Sequence, residues 1–229
     1  MPGFSYVPLN KVEKLDSAIN DNTAGVLIEL IQGEGGVNIA TDEFVAAARK
    51  LCDQRGALLI IDEIQTGFGR TGKMFACNHH ELQPDVMTLA KAIGAGVPMG
   101  ATMLSNKIKV APGMHGTTFG GNPLACAGAL ATLDVIEQEN LPDQAEEKGA
   151  LFEQNLEPDT LSQVRELRRR GLMIGLELKG KVQPVLESLM ARGIIALPAG
   201  ATVLRLLPPL TISYDQLKVV AGELRELLA

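Results

Sequence analysis

The sequence contains no tryptophan and only 3% aromatic residues, so its interior has to be built from Ala, Val, Leu, Ile and Met. It has no basic excess: a net charge of −6 excludes the positive footprint that a nucleic-acid-binding surface needs. Three cysteines, Cys52, Cys77 and Cys126, make no disulfide framework and suit a reducing compartment. No apolar run approaches the roughly 20 residues that span a bilayer, and no leader pattern opens the chain. The expectation is a cytoplasmic protein with neither a membrane nor a nucleic acid as partner. What is present is 46% hydrophobic and 21% charged residues over 229 positions, enough for one large globular domain or two modest ones.

Short β-branched runs alternate with helical stretches, which predicts an α/β fold with a mostly parallel sheet covered by helices. Residues 24–31 (AGVLIELI) read as a buried strand. Thr41 is placed to cap a helix with Asp42 and Glu43 in its first turn, an inner face of Phe44, Val45, Ala48, Leu51 and Cys52, and Gly56 at its end. Residues 57–62, 85–90 and 100–104 are the next strands. Asn122 and Pro123 open a long helix, with Leu124, Gly128, Ala131 and Val135 along its packed face, leading out of a first domain at residues 1–138. Residues 139–229 read as a small α+β domain. It has a charged helix over 143–156, a strand pair turning at Gly171, a helix over 184–192, a two-stranded unit over 193–210, and a last helix opened by the capping box of Ser213 and Gln216. The basic run at 168–170 is expected to be a solvated turn.

The stretch LLIIDEIQTGFGRTGKM, residues 58–74, poses a choice. Gly67 through Lys73 fits G-x-x-x-x-G-K, the phosphate loop of nucleotide hydrolases. However, Met74 stands where a Mg²⁺-ligating Ser or Thr belongs, and one strand would have to supply both loop and metal-binding Asp. That reading fails, and the glycine-rich stretch is expected to be a flexible loop. Asp62 instead ends a parallel strand, the edge where open α/β sheets place their ligands. The next strand ends at Ala90, so Lys91 reaches the same rim from an apolar, glycine-rich setting, TLAKAIGAGVPMG. A desolvated lysine loses its proton more easily and attacks carbonyls. An Asp beside it suits pyridoxal phosphate, whose aldehyde needs an amine and whose ring nitrogen needs a carboxylate. Pattern alone leaves a surface lysine and a capping aspartate as the alternative. Cys77, His79 and His80 lack a second ligand pair at metal spacing, so no metal site is expected.

IQGEGG, DEIQTGFGRTGK, LAKAIGAGVPMGA, HGTTFGGNPLACA and the pair LPAG and VLRLLPPL occur in this order along the chain. Together they resemble the motifs of the class III, fold type I, pyridoxal-phosphate-dependent aminotransferases, most of all the acetylornithine subgroup. The resemblance implies a large cofactor-binding domain followed by a small α+β domain. It implies that Lys91 holds the cofactor and moves the proton, that Asp62 pairs with the pyridinium nitrogen, and that Gln65 touches the phenolic oxygen. Thr118 would bind the phosphate of a neighbouring subunit's cofactor, making a homodimer part of the site. Arg205 would clamp the substrate carboxylate through its planar guanidinium. Glu34 would pair with Arg205 when an amine enters and release it for a keto acid.

Two departures from the family pattern stand out. Leu30 follows Glu29 where family members carry Pro, a change that only frees a backbone dihedral. The family's glycine-rich phosphate loop and ring-stacking aromatic have no counterpart here, which suggests the C-terminal portion of an aminotransferase: a truncated reading frame, one half of a split enzyme whose N-terminal half lies on another chain, or an engineered piece. The implied reaction is transamination between N-acetylornithine and 2-oxoglutarate in arginine or lysine biosynthesis. The alternatives are a carrier-linked lysine, ornithine or 4-aminobutyrate aminotransferase, or a non-catalytic interaction or assembly module.

Overall fold

The computed structural model describes residues 2–229. In chain order the elements begin with α1 (Val12–Ala18), β1 (Gly25–Ile28), β2 (Ile31–Gln32), β3 (Asn38–Ile39), α2 (Asp42–Arg55), β4 (Leu58–Asp62), β5 (Val86–Leu89) and β6 (Ala101–Leu104). They continue with α3 (Pro123–Gln138), α4 (Leu141–Leu156), β7 (Val164–Arg170), β8 (Met173–Leu178), α5 (Gln183–Ala191), β9 (Leu197–Pro198), β10 (Val203–Leu206) and α6 (Tyr214–Leu228). Among the described residues no helix is long and apolar enough to cross a membrane. The chain divides into two units, and the division interleaves: the first comprises the chain up to Leu30, Ala40–Gln65 and Ala76–Thr132, the second Ile31–Ile39, Thr66–Phe75 and Leu133–Ala229.

The first unit is built on a four-stranded sheet in the order β1-β4-β5-β6. β1 and β5 run parallel to β4, and β6 closes the edge antiparallel. α2 forms where its caps dictate: the Thr41 hydroxyl accepts from the Phe44 amide at 3.2 Å, and Gly56 ends the helix at φ +68°. Its buried face is the expected one, and Leu59 and Ile61 of β4 are likewise buried. The buried strand expected over 24–31 is shorter and half-open: β1 covers four residues, and Leu27 is 61% exposed. In a mixed sheet with one covered face, alternate residues of an all-apolar run still point outward. α3 turns a different face inward from the one its spacing suggested. Ala125, Ala129 and Ile136 are buried, while Leu124, Ala131 and Val135 are exposed. This helix is apolar on nearly every side, so periodicity offers several stripes. A Cβ at Gly128 would stand 3.4 Å from the Gly94 carbonyl oxygen.

Asp85 ties β5 to its neighbours. Its carboxylate accepts from the Leu59 amide and from Arg49, both at 2.9 Å, and from Lys107 at 3.3 Å. Burial alone would push this carboxyl up, but the Leu59 amide and the Arg49 guanidinium outweigh it and hold it below the ordinary 3.8. A depressed folded-state value means the unfolded chain binds the proton more readily. The stabilisation is therefore complete above pH 3.8 and lost as pH falls through the folded value. We expect Asp85→Asn to cost about 2 kcal/mol at neutral pH. In urea titrations the gap between wild type and variant should close on acidification below 3.8, and a gap independent of pH would contradict this account.

The second unit holds an antiparallel sheet in the order β7-β8-β10-β9, together with the β2–β3 hairpin. Its largest apolar cluster is mainly aliphatic, with Leu172, Ile174, Leu176, Leu189, Leu204 and Leu224 among its buried side chains, joined by Phe152. α6 opens with the expected capping box, with Ser213 and Gln216 bonded reciprocally. Two sequence expectations change here. The run at 168–170 is strand, not solvated turn, and Arg168 and Arg169 are ion-paired to Glu166, Glu177, Glu146 and Glu153. The stretch 67–73 is not a flexible loop. Phe68 is buried and packs edge-on against Phe75 with ring centroids 5.8 Å apart, and Arg70 donates to the carbonyls of Leu172 and Pro208 at 3.2 and 2.5 Å.

Candidate active site

β4 and β5 are parallel, so both leave the sheet at one edge. Asp62, the last residue of β4, lies in register with Thr88 of β5. Lys91 follows Thr88 by three positions and opens the short 3₁₀ turn Lys91–Gly94. Asp62 and Lys91 therefore stand at the same rim, at the ends of neighbouring strands. The Asp62 Oδ1 accepts from the Ile64 amide at 2.9 Å, which bends the chain off the strand, and its other oxygen takes no hydrogen bond from the described residues. The Thr88 hydroxyl, on the adjacent strand, is buried without a partner among the described residues. Gln65 lies half-buried on the turn that leaves β4.

Lys91 has φ +49°, a left-handed conformation uncommon for a residue with a side chain, and such strain persists only where its surroundings hold it. The desolvated amine expected from the sequence is not found: Lys91 is exposed, and the apolar run buries Ile93 and Gly94 instead. Thr118 is exposed as well, within the segment that joins β6 to α3.

Sequence reasoning passed over Glu63. It is fully buried, and its two oxygens accept from the amides of Ala76 and Cys77 at 3.0 and 2.8 Å. Burial, reinforced by Glu63, pushes the Cys77 thiol up to about 12. Alternation along a strand contains the missing signal: the neighbours Asp62 and Glu63 must face opposite ways. Asp62 keeps one oxygen without a hydrogen bond from the described residues, and Glu63 anchors the chain.

Glu34 and Arg205 meet in the second unit. Arg205 lies inside β10, 5% exposed, and its Nη1 is 2.6 Å from Oε1 of Glu34, which sits on the β2–β3 loop with its side chain 76% exposed. A charge-assisted contact of this length is among the stronger hydrogen bonds. The buried partner belongs to a strand, and the exposed one sits on a loop.

Comparison with known proteins gives a consistent result. The profile of the family Aminotransferase class-III matches residues 6–228. The chain is 45% identical over 229 residues to an acetylornithine aminotransferase of Methanocaldococcus jannaschii, covering 98% of this chain and 58% of that protein. It is 43% identical to an ornithine aminotransferase 2 of Staphylococcus aureus, covering 98% and 58%. The ornithine aminotransferase of Toxoplasma gondii superposes with a TM-score of 0.93 at 37% identity, over 99% of this chain and 56% of that one. The chain thus spans somewhat more than half the length of the relatives it matches. A match running almost from end to end, on a sheet whose rim offers an acid and an amine, leaves one assignment: the chain belongs to the class III aminotransferases, a family dependent on pyridoxal phosphate.

Proposed function

We propose that this chain takes part in transamination from N-acetylornithine to 2-oxoglutarate, yielding N-acetylglutamate semialdehyde and glutamate, in arginine or lysine biosynthesis. The observation that carries the reading is the register placing Asp62 opposite Thr88 and Lys91 just beyond it. The donor set fits the cofactor. A half-buried carboxylate has one oxygen open to a protonated ring nitrogen, an exposed amine can take an aldehyde, and an orphaned buried hydroxyl lies on the next strand. When bound, pyridoxal phosphate supplies an electron sink for charge developing beside the amine.

This chain's residues supply the rest. Lys91 Nζ would hold the cofactor and then carry the proton away from the donor's amine-bearing carbon. Asp62 would keep the ring nitrogen protonated, and Gln65 would bond the phenolic oxygen. Thr118 would reach the phosphate in a partner subunit, so the active form would be a homodimer. Residues 1–138 would then form the cofactor-binding part and 139–229 the small domain. Arg205 would grip the carboxylate of 2-oxoglutarate once Glu34 withdraws, and Glu34 would mask that charge while the amine donor is bound.

Relatives named for ornithine stand nearly as close as those named for acetylornithine, which favours ornithine as the second reading. Glutamate release from 2-oxoglutarate with each amine discriminates them. We expect kcat/KM to favour N-acetylornithine at least tenfold, about 1.4 kcal/mol in transition-state binding. A preference for ornithine would shift the assignment to the second reading, and glutamate from neither amine would overturn both.

A further inference from the structure

The arginine proposed to clamp substrate has a counterpart in the same row of its sheet. Gly175 of β8 pairs with Arg205 of β10 on one side and with Arg168 of β7 on the other. Directly paired residues of antiparallel strands share a face, so the two arginines flank a glycine notch. The β2–β3 loop lies across that row and meets each member. Glu34 pairs with Arg205 at 2.6 Å. Val37 fills the notch: a Cβ at Gly175 would stand 2.7 Å from the Val37 Cβ. Arg168 donates from Nε and Nη2 to the Gly36 carbonyl at 3.2 and 2.9 Å.

The Gly36–Val37 end of this loop is held firmly. Arg168 is itself fixed by Glu166 and Glu177, each at 2.6 Å from its Nη1. Val37 is fully buried at φ +55°, a conformation that a β-branched residue keeps only under external constraint. Glu34, two residues before the gripped Gly36, is exposed. A carboxylate on a short, anchored leash competes for Arg205 at a high effective concentration, which falls as the leash loosens.

We propose that Arg168 is a positioning residue for Glu34: by clamping the Gly36 carbonyl it sets how strongly Glu34 competes with a substrate carboxylate for Arg205. The inference rests on the clamp role given to Arg205 above. Arg168→Lys isolates the grip, because an ammonium keeps the charge beside Glu166 and Glu177 but lacks the planar fork that takes one carbonyl from two nitrogens.

The test is a double-mutant cycle on the whole chain with glutarate as the unreactive dicarboxylate probe, read by NMR of ¹⁵N-labelled arginine side chains. Glu34→Gln should move the Arg205 Nε–Hε resonance in wild type and tighten glutarate binding about tenfold. In Arg168→Lys, glutarate should already bind about threefold more tightly than to wild type, and adding Glu34→Gln should gain correspondingly less. Amides of residues 34–37 should exchange faster in Arg168→Lys. Merely structural damage would loosen glutarate, so the sign separates the two roles. Equal gains from Glu34→Gln in both backgrounds, or unchanged amide exchange, would overturn the proposal. If Arg205→Lys leaves glutarate binding untouched, the clamp reading itself fails, which is a different result from an additive cycle.

Discussion

Lys91→Ala should abolish the main borohydride-stable labelling of the chain by pyridoxal phosphate. Wild type is expected to yield one dominant adduct, on the peptide that contains Lys91, and the variant to lose it at least tenfold. An aldehyde condenses with any unprotonated amine, and exposed lysines such as Lys50 and Lys73 lie elsewhere on the chain. Lys91 is itself exposed, so burial gives it no advantage. Its preference must come from a second grip on the same ligand, and the open oxygen of Asp62 at the same rim is the group available. A hydrogen bond to a charged partner contributes about 1.5–3 kcal/mol, whereas tenfold selectivity needs about 1.4. Asp62→Asn should therefore flatten the preference while leaving the amine in place. Peptide mapping by mass spectrometry reads both variants. Several lysines labelled alike, with a pattern indifferent to Lys91→Ala, would sink the assignment and favour a chain that keeps the fold without the chemistry.

Gly149→Ala should destabilise the second unit by about 3 kcal/mol, opposite in sign to helix propensity. Gly149 lies inside α4, where alanine would ordinarily gain about 1 kcal/mol. A Cβ there would stand 2.1 Å from the Gly171 carbonyl oxygen and 2.9 Å from its carbon, and these backbone atoms cannot rotate aside. The β7–β8 turn cannot retreat either. Gly171 has φ +52°, and its own Cβ position lies 2.6 Å from the Gly72 nitrogen and the Thr71 carbonyl carbon. Gly222 in α6 provides the control, since nothing stands within 4 Å of its Cβ position. Gly222→Ala should stabilise by about 1 kcal/mol. Urea midpoints that move the same way for both variants would refute the packing argument.

Features written locally were legible in the sequence. Thr41 and Gly56 bound α2, Ser213 and Gln216 start α6, and Gly171 marks the β7–β8 turn. Features decided at long range were not. Arg70 finds its acceptors 102 and 138 residues further along the chain, so a glycine-rich stretch that looks loose alone is held fast. Arg168 and Arg169 read as solvent-seeking because their acids come from other turns of chain. The inward face of α3 was lost among competing apolar stripes. At the site, the neighbouring ends of β4 and β5 followed from strand order, but the exposure of Lys91 did not, because flanking apolar residues say nothing about which of them turns inward.

The paired acids at the end of β4 also restrict how this molecule can vary. Side chains in a strand alternate, so inserting or deleting one residue within Leu58–Asp62 would send the anchoring Glu63 carboxylate outward and that of Asp62 into the interior. A single frame shift of this kind would leave two backbone amides stranded and a charge entombed. Connecting loops can therefore lengthen or shorten across descendants of this chain, whereas the spacing of this strand cannot drift by one.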